Sequence, residues 1–236
     1  MKTLGLIGGM SWESTAIYYR QLNELARARL GGLHSAELLL WSFDFAEIEA
    51  CQAAGDWAAA TARMVGAAQR LERGGAEALV ICTNTMHRMA EEVQDAVGIP
   101  LIHIADATAG AIQASPARRP VLLATRYTME QDFYKGRLRD RHGIDVMVPD
   151  AAGRELVHRV IYDELCQGLV RPESKAAYLE VLRDLQGQGA DGVILGCTEV
   201  GLLLGPEDSE LPVFDTTLIH AEAAIDFALG DEAERS

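Results

Sequence analysis

The chain has 236 residues, 49% of them hydrophobic and 24% charged, which is typical of a folded globular protein and excludes a disordered one. Its 35 acidic residues outnumber 21 Lys and Arg and give a formal net charge of −14, which repels nucleic-acid backbones and anionic membranes. No apolar run reaches the length of about 18 residues that suits a membrane span, and the N-terminal run is too short for a signal peptide. We therefore expect a cytoplasmic protein without nucleic-acid or membrane partners.

The first half of the sequence alternates short apolar runs with longer amphipathic stretches. A strand is predicted at 3–7 and a helix at 11–32, with Ser11 as its N-cap and glycines at its end. The other predicted elements of this half are strands at 36–42, 78–81 and 101–104 and helices at 56–73, at 84–97 and up to 113. This alternation is typical of parallel sheets covered by helices.

The segment SPARRP at 115–120 interrupts this rhythm with two prolines and two arginines, and the same plan then starts again. Within the loop and helix that follow the next strand, Thr128 and Gln131 have the spacing of a capping box. The predicted elements of this half are strands at 121–124, 145–148, 192–195 and 212–214 and helices at 153–167 and 173–186. The sequence therefore predicts the α/β class, with two similar pseudo-twofold-related domains, each a mostly parallel sheet flanked by helices, and an active site in the cleft between them.

The most informative motif is an apolar run that ends in Cys-Thr and occurs once in each half. It reads ALVICTNT around Cys82 and GVILGCTEV around Cys197. Each thiol is predicted at the carboxyl end of a buried strand where a helix begins, and a helix N-terminus lowers a thiol pKa from its ordinary value of about 8.5 toward neutrality. Two such groups, one thiolate and one thiol, on opposite faces of a substrate are what inversion of a carbon centre requires.

Polar residues beside the thiols are suited to bind a carboxylate. Hydroxyl, amide and backbone N–H donors are offered by Thr83, Asn84, Thr85 and Thr198. The cluster of Gly5, Gly8 and Gly9 does not match a dinucleotide fingerprint, and we interpret it as a tight substrate loop.

Several other conspicuous side chains are interpreted as structural. All four cysteines should be thiols, and Cys51 and Cys166 are interpreted as small buried apolar residues. Neither a CxxC pair nor a set of zinc ligands at recurring spacing is present in the sequence, so no metal is expected. The aromatic rings interpreted as hydrogen-bonded or packed structure are those of His87, His103, Tyr18, Tyr19, Tyr127 and Tyr134.

The chain resembles the cofactor-independent aspartate/glutamate racemase family. The resemblance runs nearly end to end and lies in GLIGGMSWEST at 5–15, CTNTMH at 82–87, ATRYTMEQDFY at 124–134 and GCTEVGLLL at 196–204. It implies two similar α/β domains, no cofactor, an amino-acid substrate and frequent homodimers. It also implies that the last helix, near 217–229, returns to the first domain, which gives domains at 1–114 plus 212–236 and at 115–211.

Residue by residue, the resemblance assigns the two catalytic thiols to Cys82 and Cys197. The substrate-binding positions that it implies, together with the threonines and the asparagine named above, are Met10, Thr125 and Thr128. The segments FDFAEIEACQAAG and VIYDELCQG contain no Lys or Arg to bind a distal carboxylate, while Glu47, Glu49 and Asp163 are acidic. Strict specificity for aspartate or glutamate is therefore not expected.

The chain is more similar to the broad-specificity amino-acid racemase branch, through FxEIExCQ, HIADAT and RYTMEQDFY. Gln52 then becomes a neutral candidate substrate contact, and neutral amino acids such as homoserine become the expected substrates. The alternatives are a strict aspartate or glutamate racemase, and a hydantoin racemase or a maleate isomerase on the same scaffold. A non-catalytic small-molecule binding protein is a further alternative.

Overall fold

The computed structural model describes residues 1–230, which divide into two compact units. The first contains Met1–His103 and the chain from His220 onward, and the second contains Ile104–Ile219. The expected boundaries differ from this division at two places, because residues 104–114 and 212–219 belong to the second unit. Residues 231–236 of the expected first domain lie outside the described residues.

The first unit is a four-stranded parallel sheet with helices on both faces. Its elements in chain order are β1 (Leu4–Gly8), α1 (Trp12–Leu30), β2 (Leu38–Ser42), α2 (Phe45–Ala54), α3 (Trp57–Arg73), β3 (Ala78–Ile81), a 3-10 turn (Thr85–Met89), α4 (Ala90–Asp95) and β4 (Leu101–Ile102). The strand order is β2-β1-β3-β4, and every pair is parallel. The α/β class is confirmed.

The alternation of side chains along β1 and β3 divides the apolar residues of this unit between two cores. One face of the sheet packs Ile7, Leu79 and Ile81 against α3. The other face packs Leu6 and Val80 against α1. Cys82 follows Ala78 and Val80 in the same alternation, so its side chain points into the core that contains α1.

The second unit repeats this plan with a smaller sheet. Its elements are α5 (Ile104–Gln113), β5 (Val121–Leu123), α6 (Arg126–Glu130), α7 (Asp132–His142), α8 (Ala151–Asp163), α9 (Pro172–Gly187), β6 (Val193–Leu195) and β7 (Val213–Asp215), with 3-10 turns at Leu165–Gln167, Thr198–Leu202 and Pro206–Asp208. The strand order is β5-β6-β7, all parallel. In both units the strand that precedes Cys-Thr, β3 or β6, pairs with the strand that comes first in the chain of that unit, β1 or β5.

The last helix, α10 (Thr216–Leu229), begins in the second unit and continues in the first. Its apolar residues Ala221, Ala224 and Ile225 lie in the core beside α1 and β1. This part of α10 therefore packs in the core of the first unit.

Several local predictions need correction. The strand expected at 145–148 is reduced to a single parallel bridge between Met147 and Val121, and the helix expected at 153–167 spans Ala151–Asp163. The helix expected at 84–97 is a 3-10 turn followed by the short helix α4. The helix α2 was not predicted, because its apolar residues have no clear helical period.

Among residues 1–230, no helix combines the length and the apolar character that crossing a bilayer demands.

Candidate active site

Cys82 directly follows β3 and is fully buried. Its backbone N–H donates to the carbonyl of Ile7 at 2.9 Å, so the chain still follows the neighbouring strand β1 at this residue. The thiol lies 3.9 Å from the carbonyl oxygen of Val80. Because burial disfavours the charged form, it raises the pKa of Cys82 well above its ordinary value.

The residues after Cys82 form a compact polar turn. Asn84 and Thr85 are buried and Thr83 is partly buried. The carbonyl of Thr83 accepts a hydrogen bond from Nδ1 of His87 at 2.8 Å, which fixes the turn and supports the structural interpretation of that histidine. The three threonine and asparagine side chains named for substrate binding therefore lie in one turn next to the thiol.

Gln52 reaches this turn from α2. Its side chain is buried, and Nε2 donates to Sδ of Met86 at 3.2 Å. Since Met86 belongs to the CTNTM segment, the structure brings Gln52 and the Cys82 loop together within the first unit.

The loop after β1 is held very tightly. Gly9 has a φ of +80°, and a Cβ at this position would lie 2.3 Å from the backbone nitrogen of Phe43. Its N–H donates to Oγ1 of Thr15 at 2.8 Å, while Met10, the next residue, is buried in the core against α3. The interpretation of the glycines as a tight loop fits this close approach.

The same arrangement of hydroxyl groups follows the first strand of each unit. Ser11 caps α1, and its Oγ lies 3.4 Å from Oγ of Ser14. Thr125 caps α6, and its Oγ1 lies 3.2 Å from Oγ1 of Thr128. The predicted capping box from Thr128 to Gln131 is wrong, because the cap lies three residues earlier and Gln131 instead separates α6 from α7.

Cys197 lies two residues beyond β6 and is buried, with 9% of its surface exposed. Its Sγ lies 3.0 Å from Oε2 of Glu199, and the hydroxyl of Thr198 donates to the same oxygen at 2.6 Å. The thiol of Cys166 lies 3.8 Å from the other oxygen, Oε1. Three donors thus surround one carboxyl group that is only 2% exposed.

The pKa of Cys197 is raised well above its ordinary value. Burial is the largest cause, the Glu199 charge is the next, and the nearby Cys166 adds to both. The backbone N–H of Glu199 acts in the opposite direction. The prediction that a helix N-terminus lowers the thiol pKa values is therefore wrong for both cysteines. Cys197 precedes a short 3-10 turn and Cys82 lies three residues before another, and the desolvation of each buried thiol raises its pKa.

Glu199 and its contact with Cys166 are not among the residues that the sequence motifs predict for the site. The signal was present in GCTEV, where an acidic residue stands inside an otherwise apolar segment. The sequence pattern predicts a small buried apolar residue at Cys166, whereas its side chain is only partly buried and contacts a carboxyl oxygen of Glu199. Tyr18 and Tyr134 are fully buried as expected, whereas Tyr19 is 57% exposed, so its interpretation as packing is wrong.

The sequence-predicted site residues fall into two sets, one in each unit. The first unit holds Met10, Gln52, Cys82, Thr83, Asn84 and Thr85. The second holds Thr125, Thr128, Cys197 and Thr198. Apart from Gln52 on α2, each set lies at the carboxyl ends of the first strand and the Cys-Thr strand of its own sheet, where open parallel sheets bind ligands.

Comparison with known proteins identifies the protein family. The sequence profile of the Asp/Glu/hydantoin racemase family matches residues 7–224. The chain therefore belongs to the Asp/Glu/hydantoin racemase family.

Three individual proteins illustrate what this chain is similar to. The broad specificity amino-acid racemase RacX of Bacillus subtilis (strain 168) is 25% identical over 169 residues, which are 69% of this chain and 69% of the relative. A crystal structure from Yersinia pestis, provisionally assigned as an Asp/Glu racemase, is 55% identical with a TM-score of 0.90 and covers 97% of this chain and 100% of that one. PH1733 of Pyrococcus horikoshii OT3, an aspartate racemase homologue, is 34% identical with a TM-score of 0.83 and covers 97% and 99%. Because the family and these relatives are named as racemases, and racemases are isomerases, the enzyme class of this chain is isomerase.

Proposed function

We propose that this protein is a cofactor-independent amino-acid racemase that interconverts L- and D-amino acids through two thiols, Cys82 and Cys197. The observation that carries the proposal is the repeated placement of a buried Cys-Thr pair at the carboxyl end of the equivalent strand in each unit. Membership in the racemase family supports the same chemistry.

The proposed reaction is a proton relay through the α-carbon. The thiolate of one cysteine removes the α-proton from one face, and the thiol of the other cysteine donates a proton to the opposite face. Because burial raises both thiol pKa values, each thiolate is a stronger base than an exposed cysteine would be. The α-ammonium group of the bound substrate supplies the positive charge that favours formation of the thiolate.

The turn beside Cys82 is suited to bind the α-carboxylate. Hydroxyl and amide donors of Thr83, Asn84 and Thr85 lie within four residues of the thiol, and Thr198 is adjacent to the second thiol. Hydrogen bonds to the carboxylate strengthen as negative charge spreads onto it in the transition state. Thr125, Thr128 and Met10 are proposed to line the loops around the substrate.

We propose broad specificity with neutral amino acids, homoserine among them, as preferred substrates. Gln52, a neutral side chain, is the group of α2 that reaches the Cys82 turn, and Glu47 on the same helix is ion-paired with Arg63. The name of the Bacillus subtilis relative supports a broad range. Strict aspartate or glutamate racemisation, hydantoin racemisation and maleate isomerisation are the competing outcomes of the experiment below.

The test is α-proton exchange in D₂O without pyridoxal phosphate. A panel of L- and D-amino acids is followed by NMR for deuterium and by chiral chromatography for configuration, with a hydantoin and maleate as further substrates. Deuterium incorporation together with inversion is expected for neutral amino acids. The absence of exchange on every amino acid would contradict the racemase proposal, and activity on the hydantoin or maleate alone would replace it.

Matched cysteine variants separate catalysis from folding. Cys82→Ala and Cys197→Ala are each expected to lower racemisation by about 10³-fold, the order of a lost general acid or base. Cys51→Ala, which removes a partly buried thiol from α2, is expected to retain activity. Equal losses in all three variants would show that the effect is structural.

A further inference from the structure

The surroundings of Cys197 raise the question of where its proton goes when the thiol becomes a base. The thiol is buried, so the proton is not passed directly to bulk water. Its nearest acceptor is Oε2 of Glu199 at 3.0 Å, which also accepts from the hydroxyl of Thr198. Glu199 is 2% exposed and is therefore at least as buried as Cys197.

We propose that Glu199 is the positioning residue of the second thiol and holds the Cys197 proton whenever Cys197 acts as the base. In the resting pair the proton is on sulfur and Glu199 is a carboxylate. In the activated pair the S–H bond is broken, the proton forms an O–H bond with Oε2, and the electron pair remains on the thiolate. One proton and one negative charge are conserved in both states.

This conservation of charge is the physical reason for the pairing. Ionising a lone buried thiol creates a new charge in a poorly solvated place, which is costly. Moving the proton 3.0 Å to Glu199 leaves the pair with a single negative charge throughout. The titration therefore belongs to the pair and not to either group alone.

Other titratable groups of the second unit are bound elsewhere and do not provide an alternative acceptor for the Cys197 proton. Cys166 contacts the far oxygen of Glu199, and the hydroxyl of Tyr178 on α9 donates to the carbonyl of Val157 at 2.9 Å. Asp215 on β7 accepts from the backbone N–H of Thr217. Glu164, next to the turn that holds Cys166, accepts from Ser174.

The inference rests on the proposed function only for the role of Cys197, so its test combines a titration with kinetics. The thiolate absorbance of each protein is recorded against pH and compared with that of the same protein carrying Cys197→Ser, which isolates the Cys197 signal. Glu199→Gln removes the carboxylate but keeps the backbone N–H and the side-chain volume. Glu164→Gln removes a neighbouring carboxylate that does not contact Cys197 and serves as the matched control.

The expected result has two parts that point in opposite directions. In Glu199→Gln the Cys197 thiol ionises about one to three pH units lower than in the unmodified protein, because a like charge is gone. Racemisation nevertheless falls by about 10²-fold near neutral pH, because the proton acceptor is gone as well. Glu164→Gln changes neither property, and Glu199→Asp, which keeps the charge but shortens the side chain, gives intermediate values.

Three results would overturn the inference. An unchanged Cys197 titration in Glu199→Gln, including no ionisation in either protein up to about pH 10.5, shows that Glu199 does not control the thiol. A lower pKa with faster racemisation shows that Glu199 only suppresses ionisation. If Glu199→Gln does not fold, an unchanged titration in Glu199→Asp has the same meaning. A protein with no racemase activity contradicts the proposed function, and the titration still reports on the pair.

Discussion

At the scale of single residues, the proposed role of Cys82 as a base should make activity in one direction depend strongly on pH. Burial raises the pKa of Cys82 and Cys197 well above the ordinary value, so the free protein holds both as thiols at neutral pH. For the direction in which Cys82 is the proposed base, kcat/KM is expected to rise continuously from pH 7 to about pH 9.5 with no plateau, whereas transfer of the Cys197 proton to Glu199 leaves the charge of that pair unchanged. A profile that is flat above about pH 7.5 would contradict a raised thiol pKa in the free enzyme.

The loop after β1 offers a second prediction at this scale. Gly9→Ala places an alanine at a positive φ that it disfavours, and its Cβ clashes with the backbone of Phe43. The free energy of unfolding should therefore fall by about 3 kcal/mol. Gly55 has a φ of +67° but open space around it, so Gly55→Ala should cost about 1 kcal/mol. Urea denaturation measures both, and equal losses would show that the close approach at Gly9 has no energetic weight.

At the scale of elements, a buried histidine joins two helices and a strand of the first unit. Nε2 of His220 on α10 donates to the carbonyl of Ile102 in β4 at 2.7 Å. Nδ1 therefore accepts from the hydroxyl of Tyr18 on α1, 2.8 Å away. Burial of the ring disfavours the charged imidazolium and lowers the pKa of His220 to about 4, although the hydrogen bond to the carbonyl of Ile102 acts in the opposite direction.

This depressed pKa predicts a pH dependence of stability. The unfolded chain binds a proton at His220 with a pKa near 6.5, whereas the folded chain resists it down to about 4. The stabilisation is complete above pH 6.5 and is lost as the pH falls toward 4, by about 3 kcal/mol in total. Urea titrations of the unmodified protein and His220→Gln should converge over this range, and parallel curves would exclude the histidine as the cause.

The elements themselves were largely predictable from sequence. The helices α1 and α3 have an N-cap, an amphipathic period and terminal glycines, and these local signals placed both within one residue of their observed starts. The element α2 lacks a helical period, and the weak pairing at Met147 depends on contacts that are distant in sequence. Such features are decided by tertiary packing and are not encoded in a local pattern.

The candidate site was predictable to a similar extent. The repeated Cys-Thr phrase identified both thiols, but the sign of their pKa shift depends on burial, which a sequence does not report. The contact of Glu199 with Cys166 joins residues 33 positions apart, and no spacing rule connects them. Local motifs therefore identified the two thiols proposed to react, whereas their electrostatic environment could be described only from coordinates.

At the scale of the whole molecule, the formal net charge of −14 bears on assembly. The family resemblance leads us to propose a homodimer, in which two acidic chains repel each other. Dimerisation should therefore weaken when salt is lowered from about 150 mM to 10 mM, because the Debye length grows from about 8 Å to 30 Å. Light scattering at both salt concentrations measures the mass, and a monomer at both would contradict the homodimer.

The return of α10 to the first unit has a consequence for biosynthesis. The core beside β1 is lined by the part of α10 that follows Ile219, which is synthesised after the entire second unit. On the ribosome, the usual order in which N-terminal parts fold first is therefore reversed. Residues 104–219 contain all the strands of their own sheet, whereas the nascent N-terminal sheet lacks part of its apolar covering until a helix more than a hundred residues downstream is synthesised. We therefore expect a chaperone to bind this face, on which, among the described helices, only α1 packs until then.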